Sequence, residues 1–126
     1  MHVSEITMAA EIYKVLIFLK RRPGMSQDAF REYYENSHSK LAMKYMVGAR
    51  RYLRRYVKPV PANDEMSFDV ITELWYDDRA MAERVAAFAS RGELPAEIIA
   101  DEERVFDRSK TRYATLVECE TQLALK

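Results

Sequence analysis

From Phe30 the apolar positions recur every three or four residues, through Tyr34, His38, Leu41 and Tyr45. That is the period of one face of an α-helix, and it predicts a helix from about Ser26 to Met46. Ser26 reads as its N-cap, with Gln27 and Asp28 in a first turn that suits acceptors and negative charge. Met25 and Phe30 occupy the two positions of a hydrophobic staple. Arg22-Pro23-Gly24 is a turn before this helix, and Gly48 is a stop after it. The period switches to two elsewhere. Ile12 to Lys20 is rich in β-formers, with Tyr13, Val15, Ile17 and Leu19 on one face and Ile12, Leu16 and Phe18 on the other. A strand apolar on both sides belongs to a sheet covered twice.

Two further strands are predicted at 51–58 (RYLRRYVK) and 68–76 (FDVITELWY), separated by a loop from Pro59 to Met66 with two prolines and an Asn-Asp pair. A helix over Asp78 to Ala89 is interrupted by Ser90-Arg91-Gly92 and resumes from about Pro95 to Phe106. A last strand runs from Arg112 to Glu120. The order β-α-β-β-α-β is the split arrangement of α+β ferredoxin-like domains, a four-stranded antiparallel sheet with helices on one face. Residues 1–11 read as a flexible tail, 12–120 as the domain and 121–126 as a C-terminal tail. Helices cover one face only, so the apolar side chains on the other mark an interface. The expected solution is a homodimer whose sheets meet face to face and enclose a cavity.

Composition narrows the class. Lys plus Arg and Asp plus Glu both number 20 in 126 residues, so no global field steers the chain to nucleic acid or an anionic membrane. An RNA-recognition domain would need a basic, glycine-containing aromatic strand, whereas FDVITELWY is acidic and glycine-free. No apolar run reaches the ~20 residues that span a bilayer. The N-terminus lacks the basic start and apolar core of a signal peptide, and the single Cys119 suits a reducing compartment; both point to the cytoplasm. Two histidines and one cysteine give no zinc-ligand spacing, and three glycines give no phosphate loop or dinucleotide fingerprint. No metal or organic cofactor is expected.

The candidate chemistry centres on His38, which shares the inward stripe of its helix. It is either a general acid or base facing a cavity or a core histidine satisfied by a neighbour. Glu73 stands between Ile71 and Trp75 on one face of its strand, where burial would make it an acid or base. In the other reading Val70, Thr72, Leu74 and Tyr76 pack inward, and Glu73 is wet or pairs with an arginine of the next strand. Tyr52, Arg54 and Tyr56 share a face and offer donors for a phenolate, carboxylate or enolate; charges along an edge strand also block aggregation. Tyr33, Tyr34 and Trp75 could line an aromatic pocket or simply fill the core. The acidic run Asp101, Glu102, Glu103 and Asp107 reads as a solvated helix face.

Four segments together resemble the EthD-domain family of the dimeric α+β barrel superfamily: YKVLIFLKRRPGMSQDAFREYYENSH (13–38), RRYLRRYV, FDVITELWYDD, and DEERVFDRS with the last strand. They span about residues 12 to 120. The R-x-P-G turn, the Ser-initiated helix, the Phe four residues on and the His eight beyond that are the most specific. Where relatives follow the histidine with a small residue and Pro-Leu, this chain has Ser39-Lys40-Leu41. The resemblance implies a ferredoxin-like fold, dimerisation through the sheets, and a pocket between sheet and helices. It also makes His38 the residue at which to look for chemistry and Asp107 a further site candidate. Family activities are scattered: accessory proteins of ether degradation, and dehydratase-, cyclase- or decarboxylase-like enzymes of polyketide and aromatic pathways. The expected activity is a cofactor-independent lyase or isomerase acting by proton transfer on an aromatic or polyketide-like small molecule. His38 and Glu73 would be catalytic, with Tyr34, Tyr52, Arg54, Tyr56, Trp75 and Asp107 binding substrate. The alternatives are a cofactor-free or haem-linked monooxygenase of the same superfamily and a non-catalytic binding or accessory protein.

Overall fold

The computed structural model describes residues 12–125; the predicted N-terminal tail (1–11), His2 with it, lies outside them. Strand β1 (Tyr13–Leu19) leads through the Pro23-Gly24 turn into helix α1 (Gln27–Tyr33). A π-helical turn (Tyr34–His38) and helix α2 (Ser39–Met43) continue it. β2 (Arg51–Tyr56) and β3 (Val70–Tyr76) follow, then α3 (Arg79–Ser90), α4 (Ala96–Val105), a 3₁₀ turn (Arg108–Lys110) and β4 (Arg112–Thr115). The sheet order is β2-β3-β1-β4 with every pair antiparallel, the expected ferredoxin-like topology.

The caps form where the sequence places them. Ser26 extends away from the helix and accepts a hydrogen bond from the Ala29 amide at 3.1 Å, and Asp78 caps α3 through the Ala80 amide. Gly48 takes a positive φ of +83°, the left-handed conformation in which a Cβ is unfavourable. The last strand is shorter than predicted. Beyond Thr115 the chain leaves the edge of β1, and Leu116 to Glu120 are exposed.

Ladder partners place Tyr13, Val15, Ile17 and Leu19 with Tyr76, Leu74, Thr72 and Val70, and these last with Tyr52, Arg54 and Tyr56. Residues paired across a ladder point to the same side, and this side faces the helices. Its core comprises Leu19, Phe30, Tyr34, Val70, Val105 and Phe106 in one cluster and Val15, Leu74, Tyr76 and Ala82 in another. The opposite, open face carries Leu16, Phe18, Leu53, Ile71 and Trp75, all half-buried, with Lys14, Arg51, Arg55 and Arg112 among them. Trp75 lies between two cations, with Lys14 Nζ 4.5 Å and Arg51 Cζ 4.6 Å from the ring. Its Nε1–H is buried with no hydrogen-bond partner among the described residues.

Candidate active site

The π turn sets the position of the histidine. The Ser39 amide bonds to the Tyr34 carbonyl, five residues back, so the backbone widens by one residue within a turn. Tyr34 and His38 both end up buried, at 2% and 4% exposure. Opposite them, α4 presents a stripe that the acidic run conceals. Ile98, Asp101, Glu102 and Val105 recur at helical spacing and are the buried residues of that helix. The reading of 101–107 as a solvated face therefore fails for Asp101 and Glu102, because they occupy the positions that must pack inward.

Asp101 and His38 form the central pair. His38 Nδ1 lies 2.7 Å from Asp101 Oδ2, and the Tyr33 hydroxyl donates to Asp101 Oδ1 at 2.6 Å. A carboxylate only accepts, so Nδ1 is the donor, and in the neutral imidazole the lone pair is then on Nε2. Burial pushes the Asp101 carboxyl up, but the hydrogen bonds from Tyr33 and His38 outweigh it and hold the group below its usual range. The same contact pushes the Tyr33 phenol up. The imidazole is fixed edge-on by Tyr34 at 5.5 Å and Phe106 at 5.1 Å between centroids. Phe106 is held in turn by a bridge to Arg21 and by the Asp107 amide bonding to the Lys20 carbonyl at 2.9 Å.

His38 lines a cavity of about 140 Å³ between the sheet and the helices. Most of its wall is apolar, from Ile17, Leu19, Leu74, Ile98 and Phe106. Three hydroxyls are strung along it: Tyr52 donates to the Tyr34 oxygen at 3.0 Å, and Tyr34 and Thr72 share a hydrogen bond of 2.7 Å. Burial pushes Tyr34 up to about 12 and raises Tyr52 as well, so both remain protonated donors near neutrality. Glu102 lines the cavity too. Burial raises its pKa against the pull of Arg108, whose Nε donates to Oε1 at 3.1 Å. Nε2 of His38 has no described hydrogen-bond partner and is not sealed from the cavity.

The expected site residues separate into four places. His38, Tyr34 and Tyr52 meet at the cavity. Arg54 and Tyr56 share their face of the sheet but converge on Glu35, which accepts from Arg54 Nε at 2.9 Å, Arg54 Nη2 at 2.7 Å and the Tyr56 hydroxyl at 2.6 Å. The Arg54 hydrogen bonds hold the Glu35 carboxyl low. Glu73 and Trp75 lie on the open face, with Glu73 buried and ion-paired to Arg55 of the neighbouring strand. Asp107 caps the 3₁₀ turn, accepting from the Ser109 amide at 3.2 Å and hydroxyl at 2.6 Å. Among the described residues no group of three His, Cys, Asp or Glu side chains is placed to hold a metal ion, and no helix is long and apolar enough to cross a membrane.

The family model of the EthD domain matches residues 22–109, which takes in α1, the π turn, α2, β2, β3, α3 and the Asp101 stripe of α4. The chain belongs to the EthD family. The fold of this EthD domain is similar to the crystal structure of an ethyl tert-butyl ether d (EthD) family protein from Bacillus halodurans C-125. That likeness has a TM-score of 0.55 and 24% identity, over 85% of this chain and 99% of the other. A comparison with curated proteins gives no match. Both His38, which lines the cavity, and Asp101, which holds it from α4, fall within the matched segment.

Proposed function

We propose that this EthD domain is a cofactor-independent lyase or isomerase that moves a proton on an aromatic or polyketide-like carbonyl compound, by dehydration, decarboxylation or isomerisation. The observation that carries this reading is the His38–Asp101 pair at 2.7 Å with Nε2 left open to the cavity. A base needs a lone pair aimed at the substrate and a partner that stabilises the imidazolium once the proton arrives. Nε2 supplies the first and the Asp101 carboxylate the second. The Tyr34–Tyr52–Thr72 hydroxyls provide hydrogen bonding for an enolate-like oxygen in a mostly apolar site. Glu73 takes no part in this reading, because the sheet separates it from the cavity.

The test is deuterium exchange and turnover on a panel of aromatic ketones and β-keto acids, followed by proton NMR in D₂O. His38→Ala should lower the rate on any compound the wild type converts by about 10²-fold or more. A folded His38→Ala protein that keeps the wild-type rate overturns the reading.

We also infer a homodimer assembled through the open face. Five half-buried apolar side chains and the unpartnered Trp75 Nε1–H support it, since a second copy would bury the former and give the latter an acceptor.

A further inference from the structure

Moving a proton on a carbonyl compound takes two groups. One removes the proton, and a second supplies one to the leaving oxygen or to the carbon that ends up protonated. His38 accounts for the first. The Tyr34 and Tyr52 hydroxyls can hydrogen-bond an oxygen but keep their own protons, since burial raises both. The other tyrosines of the cavity wall, Tyr45, Tyr76 and Tyr113, are raised too. One titratable side chain remains on the wall, and it is Glu102.

Its geometry suits an acid. Glu102 lies on the buried stripe of α4, at 8% exposure. Oε1 accepts from Arg108 Nε at 3.1 Å, whereas Oε2 has no hydrogen-bond partner among the described residues and is not sealed. Ala89, Glu102 and Tyr113 line both the His38 cavity and an adjoining surface pocket. The carboxyl thus stands in the wall between the two, where a proton spent inside can be replaced from water. The groups that face it are Arg108 of the 3₁₀ turn, His38 of the π turn, Asp101 of its own helix and Tyr113 of β4. Arg112 borders the same surface pocket but donates to the Ser109 and Thr111 carbonyls. Burial outweighs the pull of Arg108 and raises the Glu102 carboxyl above its usual range.

We propose that Glu102 is the second catalytic residue of this site, the acid that complements His38 and is recharged from the surface pocket. The inference rests on the proton-transfer reading above. In a dehydration, His38 Nε2 takes the proton α to the carbonyl. The C–H electron pair forms the C=C bond as the β C–O bond breaks, and Glu102 gives its proton to the departing hydroxide, which leaves as water. The imidazolium then releases one proton and the carboxylate regains one, so the pair returns to its starting state.

The experiment compares Glu102→Gln, Arg108→Gln and His38→Ala with the wild type across a pH series. The probes are the panel above and the β-hydroxy ketone formed by aldol addition of acetone to benzaldehyde. Glu102→Gln keeps the side-chain shape and an acceptor for Arg108. It should lower kcat by about 10²-fold with KM little changed. Its residual rate should also lack the fall at high pH that the wild type shows as the carboxyl ionises. Arg108→Gln removes the cation that favours the carboxylate, so it should match or exceed the wild-type rate. Equal impairment of the two variants would make the ion pair structural and overturns the proposal. Glu102→Gln at the wild-type rate while His38→Ala is impaired overturns this inference alone. His38→Ala at the wild-type rate overturns the reading above and this inference with it. If no probe is converted, or a variant does not fold, carboxyl ¹³C NMR of the wild type decides. Glu102 should titrate above the ~4.3 of an ordinary glutamate, and a midpoint at or below that value overturns the proposal.

Discussion

Replacing Asp101 with asparagine exchanges one carboxylate oxygen for an NH₂ group and leaves the shape of the side chain intact. The consequence for His38 is specific. If the amide oxygen keeps the Tyr33 hydroxyl, the NH₂ must face Nδ1, and two donors cannot share a hydrogen bond. The imidazole then carries its proton on Nε2, so the lone pair leaves the cavity. The energetic cost follows from the two short contacts, 2.6 Å from Tyr33 and 2.7 Å from His38. Each changes from a charge-assisted bond to a neutral one, a loss of about 1 kcal/mol apiece. The Arg104 contact, at 3.4 Å with an exposed guanidinium, adds nothing measurable. The total is about 2 kcal/mol, or roughly 8 °C in Tm for a domain of this size.

The effect carries a pH signature. The folded-state pKa of Asp101 is lowered, so its stabilisation is present above the unfolded carboxylate pKa of about 4 and is lost as pH falls below that through the folded value. The stability gap between wild type and Asp101→Asn should therefore be full at neutral pH and shrink in acid. Thermal melts by circular dichroism give the gap, and ¹⁵N NMR of the imidazole gives the tautomer. An unchanged Tm together with an unprotonated Nε2 in the variant would refute the reasoning.

Two further outcomes bear on the frame around the site. Phe30, fully buried and edge-on to Tyr34, Tyr56 and Phe106, should cost about 3–5 kcal/mol when cut to alanine; a urea-unfolding change below 1 kcal/mol would contradict its place in the core. Sedimentation at micromolar concentration should give a dimer that Leu16→Glu, in the middle of the open face, converts to monomer; a wild-type monomer would rule out assembly through the sheet.

Much of the frame was legible because its signals are local. Ser26, Met25 and Phe30 announce the first helix through capping and stapling, while its end comes at Met43, before the Gly48 stop. The alternation of β1 and β3 correctly grouped the residues that share a face. Alternation does not say which face the helices cover, so both readings of β3 stay open on the sequence. The structure has the second of them, with Thr72 and Leu74 at the cavity and Glu73 paired with Arg55 of the neighbouring strand. Asp101 was hidden for a different reason. Four acids in seven residues look solvated, and only the spacing from Ile98 to Val105 betrays that two of them lie on the buried stripe. The pairing of Asp101 with His38 spans 63 residues, and nothing near either residue encodes it.

The π turn at Tyr34–His38 means that the His38–Asp101 contact depends on a residue count as much as on residue identities. Deleting one residue between Glu35 and Ser37 would let the turn relax to a regular α-helix, in which each residue advances about 100° and 1.5 Å. Everything downstream would rotate by that step, carrying the imidazole off Asp101 while both residues were still encoded. Insertions and deletions, not only substitutions, are then a route by which this scaffold can gain or lose the His38–Asp101 pair.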